Sequence, residues 1–214
     1  DTTTSSEMKG ESPEDTVRTF SSYFDIIIMR TPRQGFAEKM AWVLSNTDRP
    51  VPIINAGSGR DQHPTQSLLD VYTLQRSFEH VGGIDGKSVA FVGDLARGRT
   101  VRSLAYLLTT YDDVKQYFVA PEPLQIKGDI LEQLDQRNVQ YEVTSDFESV
   151  VSEVDAIYMT RIQDEWDREP GESSRLDTTR YHFTEAHLEK LHPHAVIMHP
   201  LPRRQEIDPA VDSD

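Results

Sequence analysis

The 214 residues are 36% apolar and contain no cysteine, so a buried core is within reach while disulfides and thiolate metal sites are excluded. A formal net charge of −14 argues against nucleic acid as a partner, because phosphate backbones need a basic face. No stretch approaches the roughly 20 apolar residues of a membrane helix, the first residues lack the pattern of a signal peptide, and a cytoplasmic location is the expectation.

In chain order, Ser12-Pro13-Glu14-Asp15 reads as a helix start, with Ser12 as cap and Asp15 reaching back. Phe24 to Met29, apolar but for Asp25, is expected to be a strand buried on both faces, with Arg30 at its carboxyl end. A helix follows over Phe36–Leu44 and a short strand over Val51–Ile54. The loop Asn55–Gln62 then leads into His63-Pro64-Thr65-Gln66, where Pro64 suits the first position of a helix. That helix is expected to run to Phe78 with Leu68, Leu69, Val71, Tyr72 and Leu74 as its apolar side. Its amino end favours an anion, and His63 and Gln66 stand where they could orient one. A plain strand-to-helix turn capped by histidine reads the same way.

Clustered glycines between Val81 and Lys87 mark a hinge, giving domains 1–83 and 84–214. The second begins with a strand, Ser88–Val92, a loop, Gly93–Thr100, and a helix, Val101–Leu108. The spacing is not Gly-x-Gly-x-x-Gly, so a dinucleotide is not the expected ligand. Arg99 at the helix start suits a carboxylate. Strands are expected at Tyr117–Ala120, Gln140–Val143, Val154–Met159 and Ala195–Met198, with helices over Asp129–Arg137 and from Thr184 to Leu191. Arg161 and Gln163 follow the third of these strands, and residues 164–180 read as a long mobile lid. In His199-Pro200-Leu201-Pro202-Arg203-Arg204, prolines on both sides of Leu201 leave carbonyls able to accept from a ligand's N–H groups.

Arginine outnumbers lysine sixteen to six, a bias that suits bidentate recognition of carboxylate or phosphate. The seven histidines show no metal-ligand spacing, so neither metal nor cofactor is expected. The βαβα alternation predicts an α/β fold of two doubly wound parallel-sheet domains, with a ligand cleft between the carboxyl ends of their strands. Arg30, His63 and Gln66 would face it from one side and Arg99, Arg161 and the Leu201 turn from the other.

Several segments together resemble the catalytic chain of the aspartate carbamoyltransferase family. They are Lys9-Gly10-Glu11, Met29-Arg30, His63-Pro64-Thr65-Gln66, Val92-Gly93-Asp94-Leu95, Gly98-Arg99-Thr100-Val101, Thr160-Arg161-Ile162-Gln163 and His199-Pro200-Leu201-Pro202-Arg203. The resemblance implies carbamoyl transfer from carbamoyl phosphate to L-aspartate in pyrimidine synthesis. It assigns Arg30 and His63 to the carbamoyl carbonyl, with Arg30 also on the phosphate, and Gln66 with the Leu201 and Pro202 carbonyls to the carbamoyl amide. Arg99 and Arg161, supported by Gln163 and Lys9, would hold the aspartate carboxylates. Ser5 and Lys9 match a loop that enters a neighbouring subunit's site, which implies a homotrimer with the active site also at a subunit interface. Regulatory chains or other pyrimidine enzymes are possible further partners.

Three features depart from the family. It carries a Ser-Thr-Arg-Thr phosphate cradle and a final returning helix, and this sequence contains neither, so it reads as an internal portion of a longer polypeptide. Weak or no activity for the chain alone and a destabilised first domain are the expectations. Trp166 stands where the family commonly has arginine, which puts one lid salt bridge in doubt. The alternatives are ornithine carbamoyltransferase, disfavoured because its cysteine near the His199–Pro202 position is absent, a non-catalytic homologue or assembly subunit, and a Rossmann-type module without substrate.

Overall fold

The computed structural model describes residues 9–167 and 169–213. Two compact units divide at Thr65 and Gln66.

In the first unit, α1 (Pro13–Ser21) opens as its sequence requires: the Ser12 hydroxyl accepts the Asp15 N–H at 3.1 Å and donates to the Asp15 carboxylate at 2.7 Å. Two strands, β1 (Ile27–Thr31) and β2 (Ile53–Ser58), pair in parallel, with α2 (Phe36–Ser45) as their crossover. Val17, Ile27, Phe36, Met40, Leu44 and Val51 form the core. The strand expected over Phe24–Met29 is corrected here. It starts at Ile27 and alternates, with Ile27 8% and Ile28 68% exposed, because only one face of the two-stranded sheet is packed by α1 and α2. After Met29 the register slips, so that Thr31 pairs Ser58 across one extra residue of β2. Gly57, at φ +119°, provides the backbone conformation for this bulge opposite Arg30.

α3 (Pro64–Ser77) begins at Pro64 as expected, but its apolar side is corrected. Ser67, Asp70 and Leu74 are buried, whereas Leu68, Leu69 and Tyr72 are more than half exposed. Polar partners for Asp70 outweigh the pull of the leucine side. Leu74 and Phe78 join the core of the second unit, so by compactness α3 packs with residues 66–214.

The second unit is built on one parallel sheet in the order β5-β4-β3-β6-β7. Its strands are β3 (Ser88–Val92), β4 (Lys115–Val119), β5 (Tyr141–Thr144), β6 (Ala156–Met159) and β7 (Val196–Met198). Alternation is the organising fact. Val89, Phe91, Phe118, Ala156 and Tyr158 enter one core, together with Leu104 and Leu108 of α4 (Arg99–Leu108) and Leu134 of α5 (Gly128–Gln136). Ala90, Val92, Val119, Ile157 and Met159 enter the other, with Phe147, Val151, Tyr181 and Phe183. Both faces being covered makes the central strands β3 and β6 apolar almost throughout, whereas the edge strand β5 carries an exposed Glu142. The second face is covered mainly by 3-10 turns, and the helix expected to Leu191 is only the single turn α6 (Glu185–Leu188). Its Thr184 cap is present, with His187 as the reciprocal partner.

Candidate active site

Chain order reverses direction in the second sheet between β3 and β6, and such a switch point opens a crevice at the carboxyl ends of the strands. Gly93 leaves β3 there at φ +115°, and a Cβ on it would lie 2.3 Å from the Thr160 carbonyl oxygen. Only glycine permits that approach. The Thr160 hydroxyl donates to the Val92 carbonyl at 2.9 Å and accepts the Asp94 N–H at 2.9 Å, locking the two strand ends together. Asp94 is fully buried, and burial pushes its carboxyl up although N–H groups of Gln163 and Arg97 bind it. Gly98 sits where a Cβ would meet the Asp94 carbonyl at 2.7 Å, and α4 starts directly after it with Arg99 half-buried in its first turn.

Arg97 ties residues 163–173 to this crevice. Its Nη1 donates to the Gln163 carbonyl at 3.1 Å, the Asp167 carboxylate at 2.8 Å and the Ser173 hydroxyl at 2.8 Å. The segment expected to be a loose lid is therefore strapped by ion pairs and folded into 3-10 turns. With Arg161 and Arg204 it lines an open cavity of about 850 Å³. Arg161, two residues past β6, grips the Glu165 carboxylate with both terminal guanidinium nitrogens, one bond at 2.8 Å and a second shorter one. That pairing holds Glu165 below the usual carboxylate range. Arg204 reaches Asp164 differently, with Nη1 alone donating to both carboxylate oxygens, at 3.1 and 3.0 Å. Gln163 contributes its backbone here, its N–H to Asp94 and its carbonyl to Arg97.

Gln66 is held from behind. Its Nε2 donates to Asp70 at 2.9 Å, and the Tyr158 hydroxyl donates to the other Asp70 oxygen at 2.7 Å. Burial raises the Asp70 carboxyl and pushes the Tyr158 hydroxyl far above its ordinary value, so the phenol stays a donor. At the end of β7 the chain turns sharply: the Leu201–Pro202 peptide is cis, and Leu201 adopts φ +56° with its side chain 70% exposed. Among the described residues no hydrogen bond reaches the Leu201 or Pro202 carbonyls.

In the first unit, Arg30 is the exposed penultimate residue of β1. His63 precedes α3, half-buried, with Nδ1 3.3 Å from the Thr65 hydroxyl. The loop leading to it is cross-tied. Asn55 donates to the Ser58 hydroxyl, Ser58 donates to Asp61, and Asp61 accepts the Gly35 N–H, all between 2.8 and 3.0 Å. Lys9 is exposed, and Ser5 lies outside the described residues.

Gln66, Arg99, Arg161, Gln163, Leu201 and Pro202 thus belong to one unit, and Lys9, Arg30 and His63 to the other. Sequence reasoning missed Asp70, Tyr158, Asp94, Arg97, Arg204 and the pair His199–Glu206. Asp94 and Asp70 carry a signal in retrospect, since each is an acidic residue in an otherwise apolar neighbourhood. Arg97 and Glu206 carry none.

Two family models match the chain. The aspartate/ornithine carbamoyltransferase carbamoyl-P binding domain covers residues 1–76, and the Asp/Orn binding domain of the same family covers residues 85–214. Relatives include aspartate carbamoyltransferase 3, chloroplastic, of Pisum sativum, 47% identical over 98% of this chain and 52% of its own length. The aspartate carbamoyltransferase catalytic subunit of Vibrio cholerae is 47% identical over 98% of this chain and 65% of its own. The chain spans about half the length of the plant relatives it matches. Among solved structures, aspartate transcarbamoylase from Trypanosoma cruzi in complex with N-(phosphonacetyl)-L-aspartic acid superposes with a TM-score of 0.87 at 35% identity, covering 100% of this chain and 66% of that one. The catalytic subunit of Methanocaldococcus jannaschii aspartate transcarbamoylase gives 0.80 at 42% identity, over 97% and 65%. With both domain models matched in order and a strand order, switch point and arginine placement to go with them, this chain belongs to the aspartate/ornithine carbamoyltransferase family.

Proposed function

We propose that this chain catalyses transfer of the carbamoyl group of carbamoyl phosphate to the amine of L-aspartate, giving N-carbamoyl-L-aspartate and phosphate for pyrimidine biosynthesis. The observation that carries this reading is the grip of Arg161 on the Glu165 carboxylate. A guanidinium already laid out for two-toothed carboxylate binding is the group a dicarboxylic amino acid needs, and an ornithine side chain would find no use for it. The aspartate-bound and carbamoyl phosphate-bound structures of the Trypanosoma cruzi relative support the same choice.

In the reaction the amine nitrogen attacks the carbamoyl carbon. A C–N bond forms, the C–O bond to phosphate breaks, and one amine proton is released. Negative charge grows on the carbonyl oxygen, where Arg30 and His63 act as donors, and Arg30 also serves the phosphate. Gln66 accepts from the carbamoyl amide through its Oε1, because Asp70 holds its Nε2. The Leu201 and Pro202 carbonyls accept the remaining N–H. Arg99 and Arg161, with Gln163 and Lys9, receive the aspartate carboxylates and hold the amine in register, which removes part of the entropic barrier. Residues 1–83 form the domain that chiefly serves carbamoyl phosphate and 84–214 the one that chiefly serves aspartate, with Lys9, Leu201 and Pro202 the exceptions. The working form is a cytoplasmic homotrimer in which Ser5 and Lys9 act in a neighbour's site, open to regulatory chains or other pyrimidine enzymes.

The test supplies labelled carbamoyl phosphate with L-aspartate or L-ornithine. Carbamoyl-aspartate is expected, with Arg161→Ala raising KM for L-aspartate by about tenfold to hundredfold, the range of a lost charged hydrogen bond. Carbamoyl-ornithine would replace the substrate assignment; no product with either fits the weak activity expected without the Ser-Thr-Arg-Thr cradle, and silence that persists once that segment is supplied would favour a non-catalytic homologue.

A further inference from the structure

His199 and Glu206 form a buried pair that none of the roles above uses: their side chains are 6% and 10% exposed, with Nε2 2.7 Å from Oε1. The other imidazole nitrogen, Nδ1, lies 2.8 Å from the backbone nitrogen of Leu201. An amide nitrogen can only donate, so Nδ1 must be the acceptor and the proton must sit on Nε2, facing the carboxylate. Glu206 Oε1 also accepts the Arg204 N–H at 2.9 Å. Burial alone would raise this carboxyl, but those two donors more than offset it and hold it down to about 2, leaving an anion that fixes the tautomer. The anchor is firm at its far end. The Phe183 N–H donates to the Glu206 carbonyl at 2.8 Å, Phe183 and Ile207 pair as a bridge, and Phe183 is wholly buried.

Leu201 is the residue at the end of this chain of contacts, and its φ of +56° is a conformation that a leucine adopts only when its surroundings impose it. We propose that His199 is a positioning residue: as the Nε2–H tautomer held by Glu206, it accepts the Leu201 N–H and thereby sets the kink that aims the Leu201 and Pro202 carbonyls. The catalytic consequence rests on the reading above, in which those carbonyls receive the carbamoyl amide. The tautomer and the bond to Leu201 do not.

Two substitutions separate the two contacts. In His199→Asn the side-chain oxygen falls where Nδ1 was and still accepts from Leu201. In His199→Gln a donor still reaches Glu206 but Leu201 loses its acceptor. With ¹⁵N-labelled histidine in the full chain, two-bond proton–nitrogen spectra should show His199 as the Nε2–H tautomer, assigned by the signal lost in His199→Asn. Exchange of the Leu201 amide with solvent should rise about tenfold in His199→Gln and stay near the parent in His199→Asn, the scale of one lost hydrogen bond. In turnover, KM for carbamoyl phosphate should rise about tenfold in His199→Gln with KM for L-aspartate unchanged, and His199→Asn should restore it. An Nδ1–H or doubly protonated ring, or equal behaviour of the two variants, overturns the proposal. Absence of transfer to either amine even with the Ser-Thr-Arg-Thr segment supplied would overturn the assigned reaction, and the spectra and amide exchange would still decide the role of His199.

Discussion

The two units use the same strand–helix–strand logic, yet they bury their strands differently. In the second unit Phe91 and Phe118 of adjacent strands stack with ring centroids 5.4 Å apart, and both are wholly buried. In the first, Ile28 and Ile54 lie on neighbouring strands with 68% and 37% of their surface exposed. Trp42, Phe24 and Ile26 are exposed as well. An isoleucine run therefore means a buried strand only where enough neighbouring strands and helices cover both faces, and two strands with helices on one side cannot do that. The site residues follow the same division. Gln66 and Leu201 are braced by buried groups, Asp70 with Tyr158 and His199 with Glu206, whereas Arg30 stands exposed opposite a bulge.

The sharpest way to break this comparison is a pair of truncations. Phe118→Ala should lower the unfolding free energy by about 3–5 kcal/mol, the cost of an emptied aromatic site, while Ile28→Ala should change it by less than about 0.5 kcal/mol. Urea titration of both variants decides; equal losses would mean that the first unit's exposed face is as well packed as the second unit's core. Gly93→Ala comes next at roughly 2–3 kcal/mol, because φ +115° and the approach to the Thr160 carbonyl leave no room for a methyl group. The same substitution at Gly35, where a Cβ would meet nothing within 4 Å, carries only the cost of its positive φ, about 1 kcal/mol.

Acid titration sharpens the electrostatic side. Glu206 is held at about 2, below the ordinary carboxylate value of 4.5, so its contribution is present above pH 4.5 and is lost as pH falls toward 2. Stability curves at pH 7, 4 and 2.5 should show an acid-dependent loss of up to about 2 kcal/mol that Glu206→Gln removes. In the first unit, Lys39–Glu14 and Arg49–Asp25 are surface pairs, and Arg49→Ala should leave the midpoint within error. A curve for Glu206→Gln that keeps the parent's acid slope would assign that slope to other carboxylates.

Much of the second unit was legible in advance. The strand Ser88–Val92 ends where expected, and the glycine loop leads into α4 with Arg99 at its first position. Apolar runs of four or five residues bounded by glycine or charge mark strands buried on both faces, and local chemistry suffices to place them. The α3 face was misread because leucine counts as buried by habit, and only the Tyr158 hydroxyl, from a strand far along the chain, explains why Asp70 goes inside instead. The lid was misread for the same reason, since Arg97 alone says nothing about Asp167 and Ser173.

By itself, then, the sequence determined the element order, the parallel α/β class, the helix cap at Ser12, and the arginines and polar residues placed at element ends. These depend on short-range periodicity, capping and turn chemistry, which neighbouring residues settle among themselves. Tertiary structure alone decided the two-versus-five strand division, the Arg97 strap, the burial of Asp70 beneath Gln66, and the tautomer of His199 that bends the chain at Leu201. Each of these depends on a polar or apolar partner far along the chain, or on whether a second face is covered, and no local pattern records either.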